Sequence, residues 1–274
     1  MRVLVLKAPG TNCDLETADA FARLACTPDV VPIAELTAFP KRVHDYDIFV
    51  IPGGFSYGDD IAAGKVLALQ LKHTLLDELL AFHDRGKFIL GICNGFQALL
   101  KTGLLPGPSS SADAAPRVTL SYNDSGRFED RWVRLRFDPA QNPLASALQA
   151  ESLESLECPV AHAEGKVTVS SEADLHSLQD GRRLIIRYAH PDDPEFDAAR
   201  SVLPYPHNPN GSHGNIAGFS DPSGRILGLM PHPERAARNY LHPLWPRCRA
   251  QELRFHAGLA FLKAVVAVAQ GRFS

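Results

Sequence analysis

The strongest structural signal in the sequence is Lys87-Phe-Ile-Leu-Gly-Ile-Cys-Asn-Gly-Phe-Gln97, where an apolar run ends abruptly at a cysteine between two glycines. The pattern is the thiol counterpart of the Gly-x-Ser-x-Gly nucleophile elbow, in which a strand turns sharply into a helix. Glycines lack a Cβ, so the turn can close. The helix N-terminus favours a thiolate there. The stretch therefore predicts a nucleophilic Cys93, with the backbone N–H of Asn94 as an oxyanion donor.

A candidate base lies far downstream, in Met230-Pro-His-Pro-Glu-Arg235. A residue before proline favours extended geometry, and in an extended segment residues i and i+2 point the same way. We therefore expect His232 and Glu234 to project from one side, as a Cys/His/carboxylate triad requires. The alternatives are a buried cysteine that ends a core strand and a proline-rich surface loop.

A third apolar run, Ile48-Phe-Val-Ile51, ends in Pro52-Gly-Gly54. We expect Gly53 and Gly54 to place a backbone N–H beside the thiol and complete the oxyanion hole. Taken alone, the two glycines could also be a simple turn. In open α/β sheets, however, ligands collect at the carboxyl ends of the strands, where all three polar segments lie.

The first half of the chain alternates between apolar runs and helical patterns, which predicts βαβ units and a parallel sheet. The strand candidates are residues 3–6, 48–51 and 88–91, and the helix candidates are residues 14–25, 61–82 and 95–102.

The second half contains shorter strand candidates, expected to be antiparallel, at residues 117–121, 132–137, 166–170 and 184–188. A final central strand at 224–230 delivers His232, and a closing helix covers 246–270. The expected fold is α/β, with a mostly parallel central sheet flanked by helices and a small antiparallel sub-sheet. We expect a single domain over residues 1–274, with loop insertions near 107–116 and 189–206.

The composition narrows the class of protein. With 274 residues and 45% hydrophobic content the chain can bury a sizeable core. A net charge of −3 argues against a nucleic-acid binder. Five cysteines, an odd number, suit a reducing cytosol better than a disulfide framework. The short apolar start does not fit a signal peptide, and no apolar run reaches the length of a membrane span, so we expect a cytoplasmic protein.

Three segments together resemble the triad-type (class I) glutamine amidotransferases, which have a flavodoxin-like fold. They are Pro52-Gly-Gly-Phe-Ser-Tyr-Gly-Asp59, Gly91-Ile-Cys-Asn-Gly-Phe-Gln97 and Pro231-His-Pro-Glu-Arg235. More narrowly, the chain resembles the branch that forms the glutaminase component of phosphoribosylformylglycinamidine synthase. Further matches to that branch are Pro9-Gly-Thr-Asn-Cys-Asp14, Ser125-Gly-Arg-Phe128 and Asn208-Pro-Asn-Gly-Ser212.

The resemblance implies a role for each matched residue. Cys93 is the nucleophile, His232 the general base and then acid, and Glu234 the group that orients the histidine. The residues implied for the oxyanion hole and the glutamine pocket are Gly53, Gly54, Asn94, Gln97, Arg127 and Phe128. Glutamine is hydrolysed through a γ-glutamyl thioester to glutamate and ammonia, and the chain itself holds no metal and no cofactor.

The resemblance also implies partners, since the chain has no Gly-x-x-x-x-Gly-Lys-Ser/Thr loop to bind ATP. They are a synthetase subunit, which uses ATP and magnesium to convert formylglycinamide ribonucleotide to formylglycinamidine ribonucleotide, and in some members a small third subunit. The isolated chain is expected to hydrolyse glutamine poorly. The chain departs from the family at residues 60–64, where relatives tend to carry an aromatic residue and an arginine, and at Ala163, where relatives usually carry glycine. Neither departure touches the triad.

Other interpretations stay open at this point. A zinc enzyme could use some of the eleven histidines, but His-Glu-x-x-His and Cys-x-x-Cys pairs are missing from the sequence. We expect His162 and His213 to lie in turns or at a surface. A cysteine peptidase, a glutaminase of another amidotransferase pathway and a non-enzymatic glutamine-binding regulator are the remaining alternatives.

A reactive glutamine analogue distinguishes these interpretations. A glutamine-mimicking diazo-ketone should alkylate Cys93 stoichiometrically, because a thiolate at a helix N-terminus is the most reactive sulfur in such a chain. Peptide mass spectrometry locates the adduct, and excess glutamine should protect against it. Equal labelling of the other cysteines, or labelling that persists in Cys93→Ala, contradicts the prediction.

Overall fold

A computed structural model gives the fold for residues 1–107, 117–180, 182–192, 202–245 and 257–273. The strands are β1 Arg2–Lys7, β2 Thr27–Pro32, β3 Ile48–Ile51, β4 Phe88–Ile92, β5 Val118–Ser121, β6 Glu129–Phe137, β7 Ser155–His162, β8 Lys166–Val169, β9 Ile185–Ala189, β10 Ile216–Ser220 and β11 Ile226–Leu229. The α-helices are α1 Asp14–Ala22, α2 Ile33–Ala38, α3 Lys65–Thr74, α4 Leu76–Asp84, α5 Asn94–Thr102, α6 Pro143–Ala150, α7 Glu172–Leu178 and α8 Ala257–Ala269.

Nine strands form one sheet in the order β2-β1-β3-β4-β11-β10-β9-β6-β7, and β5 pairs with β8 in a separate two-stranded sheet. The pairings from β2 across to β11 are parallel. Those from β11 across to β7 are antiparallel. The α/β class and the small antiparallel sub-sheet are thus confirmed. Two of the short strands expected in the second half, β6 and β9, extend the large sheet instead.

Burial explains why the central strands are recognisable in the sequence. Every residue of β3, β4 and β11 is buried, as expected for parallel strands covered on both faces by helices. Helix α5 lies directly on these strands, and Phe96 on that helix packs edge-on against Phe219 of β10 at 5.4 Å between ring centroids. The carboxyl ends of β3, β4 and β11 consequently lie side by side, where the three polar segments begin.

Three strands, β2, β7 and β10, were not predicted from the sequence, and two of them were missed because they contain proline. Strand β2 includes Pro28 and Pro32, and β7 includes Pro159. Both strands are edge strands of the large sheet, where a missing backbone N–H leaves no hydrogen bond unmade. The helix expected over 61–82 is divided into α3 and α4 at Leu75, whose φ of −132° is not helical.

Some expected features fall outside the described residues. These are most of the insertion near 107–116, residues 193–201 of the second insertion, and residues 246–256 of the closing helix, of which α8 is the described part. That the whole chain forms one domain stays a prediction. Across the described residues, every helix is too short or too polar to cross a lipid bilayer.

The position of α5 depends on the absence of a side chain at Gly95. A Cβ built there would lie 1.9 Å from the carbonyl oxygen of Ile51, at the end of β3. We expect Gly95→Ala to lower the free energy of unfolding by about 3 kcal/mol, because helix and strand must separate. The matched control is Gly86→Ala, where a Cβ meets nothing within 4 Å but φ is +74°. This control should cost about 1 kcal/mol through backbone strain alone. Urea denaturation measures both, and equal losses would contradict the packing argument.

Candidate active site

Cys93 occupies the turn between β4 and α5. Its φ of 51° and ψ of −105° form a conformation that costs a non-glycine residue energy and is concentrated at functional sites. The backbone N–H of Cys93 donates to Leu229 O at 2.8 Å and so ties the turn to the end of β11. The strand–turn–helix arrangement expected around Cys93 is therefore present.

His232 and Glu234 lie together just beyond β11. The Nδ1 atom of His232 is 2.6 Å from Glu234 Oε1, and both side chains are buried. The expectation that they share one side of an extended segment is wrong in its geometry, because Pro233–Ala236 forms a 3-10 turn. Proline at the start of that turn fixes φ near the helical value. The tight turn folds the carboxylate back onto the imidazole, so the contact forms by a different route.

The backbone of β7 holds this segment in place. The N–H of His232 donates to Pro159 O at 2.8 Å, and Cys93 Sγ lies 3.5 Å from Ala161 O, to which it donates when it is protonated. One edge strand, undetected in the sequence, thus contacts both Cys93 and His232.

The charge state of His232 follows from its neighbours. Burial disfavours a charged ring, but the negative charges of Glu234 and Cys93 outweigh it and hold the pKa of His232 well above its usual value. An imidazolium next to a cysteine favours the thiolate. The Nε2 atom of His232 has no hydrogen-bond partner within the described part of the chain. It is therefore free to bond with the sulfur or with a substrate, as catalytic groups commonly are before substrate binds.

The two predicted oxyanion donors belong to segments on either side of the β4–α5 turn. Asn94 is the first residue of α5, where N–H groups have no partner within the helix. Gly54 pairs with Thr11 in an isolated bridge, and the bonds beside it come from Phe55 N to Gly10 O at 3.0 Å and from Cys13 N to Gly53 O at 3.3 Å. The N–H of Gly54 takes no part in these bonds. Both predicted oxyanion donors thus lie at the same edge of the sheet, Asn94 at the start of α5 and Gly54 in the loop after β3.

Gln97, predicted to line the glutamine pocket, is buried and uses both ends of its amide within the protein. Its Nε2 donates to Glu164 O at 2.7 Å, and its Oε1 accepts from Asn94 Nδ2 at 2.9 Å. The same Asn94 nitrogen donates to Asp59 Oδ1 at 3.0 Å. Gln97 therefore braces the turn between β7 and β8 against the start of α5.

Arg127 and Phe128, the other predicted pocket residues, lie on an exposed turn. The Phe128 ring is 48% exposed and lies 6.2 Å from the ring of Phe55, measured between centroids. Because Phe55 directly follows Gly54, this contact brings the turn next to the predicted oxyanion segment. The Arg127 side chain is exposed to solvent.

Asn123, which the sequence analysis did not single out, organises this region. Its Nδ2 donates to Arg127 O at 2.9 Å and to His162 O at 2.8 Å, while its Oδ1 accepts from Gly165 N at 3.1 Å. It also faces the Nδ1 atom of His162 at 3.1 Å. A buried asparagine with so many backbone contacts fixes the two turns relative to each other.

His162 corrects an expectation. It was predicted in a turn or at a surface, but it is the last residue of β7 and is buried. Burial lowers the pKa of His162 to about 3, and the nearby positive charge of His232 contributes to the lowering. Since Asn123 Oδ1 can only accept, the neutral imidazole must donate from Nδ1.

The Asn208-Pro-Asn-Gly-Ser212 segment supports the same turn from behind. Asn210 Nδ2 donates to Gly165 O at 2.8 Å and to the hydroxyl of Tyr188 at 3.0 Å. Ser212 Oγ donates to Asn210 Oδ1 at 2.7 Å. Only the tertiary structure reveals this role, because the segment lies more than 40 residues from the turn that it supports.

One group among the described residues brings three possible metal ligands together. Single ligand atoms of Cys13, His232 and Glu234 lie within 4.8 Å of one another. Arg235 Nη2 donates to Cys13 Sγ at 3.2 Å, however, and places a positive charge there that opposes a cation. That the chain binds no metal stays a prediction.

Comparison with known proteins places these residues in a family context. Residues 1–265 match the family model of the CobB/CobQ-like glutamine amidotransferase domain. Subunit PurQ of phosphoribosylformylglycinamidine synthase from Dehalococcoides mccartyi is 44% identical over 246 residues, or 90% of this chain and 89% of that protein. The subunit of the same name from Treponema denticola is 39% identical over 241 residues, covering 85% of this chain and 87% of that one.

Solved structures agree with the sequence relatives. A chain of PurLQS from Thermotoga maritima has a TM-score of 0.67 and 28% sequence identity, with 97% of both chains covered. A glutamine amidotransferase from the same organism has a TM-score of 0.53 at 14% identity, with 98% of this chain and 97% of that one covered, which shows a common fold.

The raised pKa of His232 leads to a pH-dependent prediction. The charge of Glu234 helps keep the ring protonated, so Glu234→Gln should lower the pKa of His232 and reduce the imidazolium fraction near neutral pH. The thiolate of Cys93 then loses its counter-charge, and alkylation of Cys93 by iodoacetamide should require a higher pH than in the wild type. The pH profile of the alkylation rate measures this shift.

Glu78→Gln is the matched control. Glu78 Oε2 lies 2.6 Å from His44 Nε2, so this variant also removes a carboxylate from a histidine, but from one that is not part of the candidate site. Its alkylation profile should coincide with that of the wild type. If the Glu234→Gln profile also coincides with the wild-type profile, Glu234 does not set the charge of the base.

Proposed function

The chain belongs to the CobB/CobQ-like glutamine amidotransferase family, and from this premise we propose that it is the glutaminase component of phosphoribosylformylglycinamidine synthase. The observation that carries the proposal is 44% identity to a PurQ subunit over 90% of this chain. The 2.6 Å contact between His232 and Glu234 beside Cys93 supports it from the structure. In this role the enzyme supplies ammonia to purine biosynthesis.

The first half of the reaction forms a thioester. The Cys93 thiolate attacks the side-chain amide carbon of glutamine, and the resulting oxyanion accepts hydrogen bonds from the backbone N–H groups of Asn94 and Gly54. The imidazolium of His232 gives its Nε2 proton to the amide nitrogen. The carbon–nitrogen bond then breaks, ammonia leaves, and a γ-glutamyl thioester remains on Cys93.

The second half restores the enzyme. Neutral His232 takes a proton from water as the water oxygen attacks the thioester carbon. The carbon–sulfur bond breaks, glutamate leaves, and Cys93 returns to the thiolate paired with imidazolium. Glu234 holds the ring through Nδ1 in both halves, so Nε2 always faces the reacting atoms.

We assign substrate binding to the turn that carries Arg127 and Phe128. Its position next to Phe55 and the fixed link through Asn123 support this assignment. A guanidinium at this mouth suits the α-carboxylate of glutamine. Gln97 acts one step removed, because its hydrogen bonds hold the pocket wall.

A second subunit must use the ammonia. This partner is the synthetase subunit, which binds ATP and magnesium, and a small third subunit completes the assembly. The similar chain from Thermotoga maritima comes from an assembly of this kind, named PurLQS. The apolar side chains of Phe55, Ile61 and Phe128 are 44%, 70% and 48% exposed near the predicted pocket, which suits a surface that a partner covers.

A cytoplasmic location is supported by the four described cysteines, all of which are free thiols.

Reconstitution with the synthetase subunit tests the proposal. Cys93→Ala should lower glutamine-dependent formation of formylglycinamidine ribonucleotide about a thousandfold. Synthesis from added ammonia should persist, because ammonia bypasses the glutaminase step. Cys26→Ala, at a buried thiol in the segment between α1 and β2, is the control and should retain both activities.

The same assay measures coupling. The isolated wild-type chain should hydrolyse glutamine slowly and accelerate when the synthetase is added. Glutamine-dependent synthesis that survives Cys93→Ala rejects the mechanism. If the full complex binds glutamine but does not hydrolyse it, the chain is instead a non-enzymatic glutamine-binding regulator.

A further inference from the structure

Cys13 is a second buried thiol at the active site, and the two half-reactions at Cys93 do not use it. It precedes α1, in the loop that follows β1, and is 1% exposed. A Cβ built on Gly53 would lie 3.1 Å from Cys13 Sγ and 2.6 Å from His232 Cε1. The sulfur and the imidazole therefore share the space above Gly53.

The hydrogen bonds of this sulfur can be assigned. Arg235 Nη2 donates to Cys13 Sγ at 3.2 Å, and the thiol donates to Asn12 Oδ1 at 3.2 Å. Arg235 is held in turn by Glu16, whose Oε1 accepts from Nε at 2.9 Å. The sulfur thus links the start of α1 to the turn that carries His232 and Glu234.

Cys13 is unsuited to be a nucleophile. Burial raises the pKa of its thiol to about 11, so it stays neutral where the Cys93 chemistry operates. A neutral sulfur has lone pairs that can face two positive groups at once. Here those groups are the guanidinium of Arg235 and the ring of His232.

We propose that Cys13 is a positioning residue, which holds the His232 ring against Glu234 and separates it from the positive charge of Arg235. The proposal rests on the proposed function, because it concerns the base of that reaction. Without the sulfur, the ring can move toward Gly53 and faces the guanidinium directly. His232 is then poorly oriented toward the substrate, and the nearby positive charge lowers the pKa of its ring.

The charge of His232 depends on several neighbours besides Cys13. The titratable groups that interact with it are Cys93 just before α5, Glu234 on its own turn, and Cys158 and His162 of β7, while the Arg235 guanidinium lies on the other side of Cys13 Sγ. All of them remain in a Cys13 variant, so a shift in the pH profile reports the sulfur alone.

Cys13→Ala and Cys13→Ser, each reconstituted with the synthetase, test the proposal. Cys13→Ala should lower kcat for glutamine-dependent synthesis about tenfold with little change in KM, because positioning and not substrate binding is lost. The alkaline limb of the kcat profile, where the imidazolium loses its proton, should move to lower pH by about half a unit. Cys13→Ser should recover part of both effects, because its hydroxyl can still accept from Arg235.

Cys26→Ser is the matched control for loss of a buried thiol and should keep the wild-type profile. Synthesis from added ammonia should be unchanged in every variant, which separates this inference from failure of the proposed function. If Cys13→Ala does not fold, Cys13→Ser carries the test alone. An alkaline limb that stays in place in the folded variants, or a rise in KM at constant kcat, overturns the proposal.

Discussion

The tight turn at Cys93 is the constraint on which the rest of the site depends. The chain must leave the end of β4, reverse at a positive φ of 51° and begin α5 at the next residue. The helix can then lie close to the end of β3 only because residue 95 is glycine, since a Cβ there would lie 1.9 Å from Ile51 O. The strain at Cys93 is offset by the packing of buried helix and sheet around it. The result is a sulfur at a helix N-terminus, next to backbone N–H groups from two segments.

The order of the strands brings His232 to this end of the sheet. Strand β11 lies directly beside β4, so the segment that follows it emerges next to Cys93 although the two are far apart in sequence. Strand β7 lies at the far edge of the sheet, yet its end accepts hydrogen bonds from both His232 and Cys93. The candidate site therefore lies between the parallel half of the sheet, which carries Cys93 and His232, and β7, which hydrogen-bonds to both. Buried polar residues such as Asn123 and Asn210 fix the turns between these strands through hydrogen bonds to the backbone.

Features of the site could be predicted from the sequence where a few neighbouring residues determine them. Short patterns located Cys93, His232 and Glu234 and the buried strands that carry them, because each pattern combines turn chemistry with an apolar run. Local rules failed where neighbours decided the outcome. Glu234 reaches His232 through a 3-10 turn and not through an extended segment. The hydrogen bonds of the Gln97 amide to Glu164 and Asn94 likewise have no local signal in the sequence. His162 was misplaced because nothing near it in the sequence indicates that β7 ends inside the protein.

The class of fold, the parallel pairing in the first half of the chain and the three residues proposed as a triad could be inferred from the amino-acid sequence alone. These follow from period, glycine placement and side-chain chemistry, which act over a few residues. Only the tertiary structure decided which groups surround the triad: the thiol of Cys13, the neutral ring of His162 and the Asn123 and Asn210 supports. Their roles depend on burial and on contacts between segments far apart in the chain, and these exist only once the sheet has assembled.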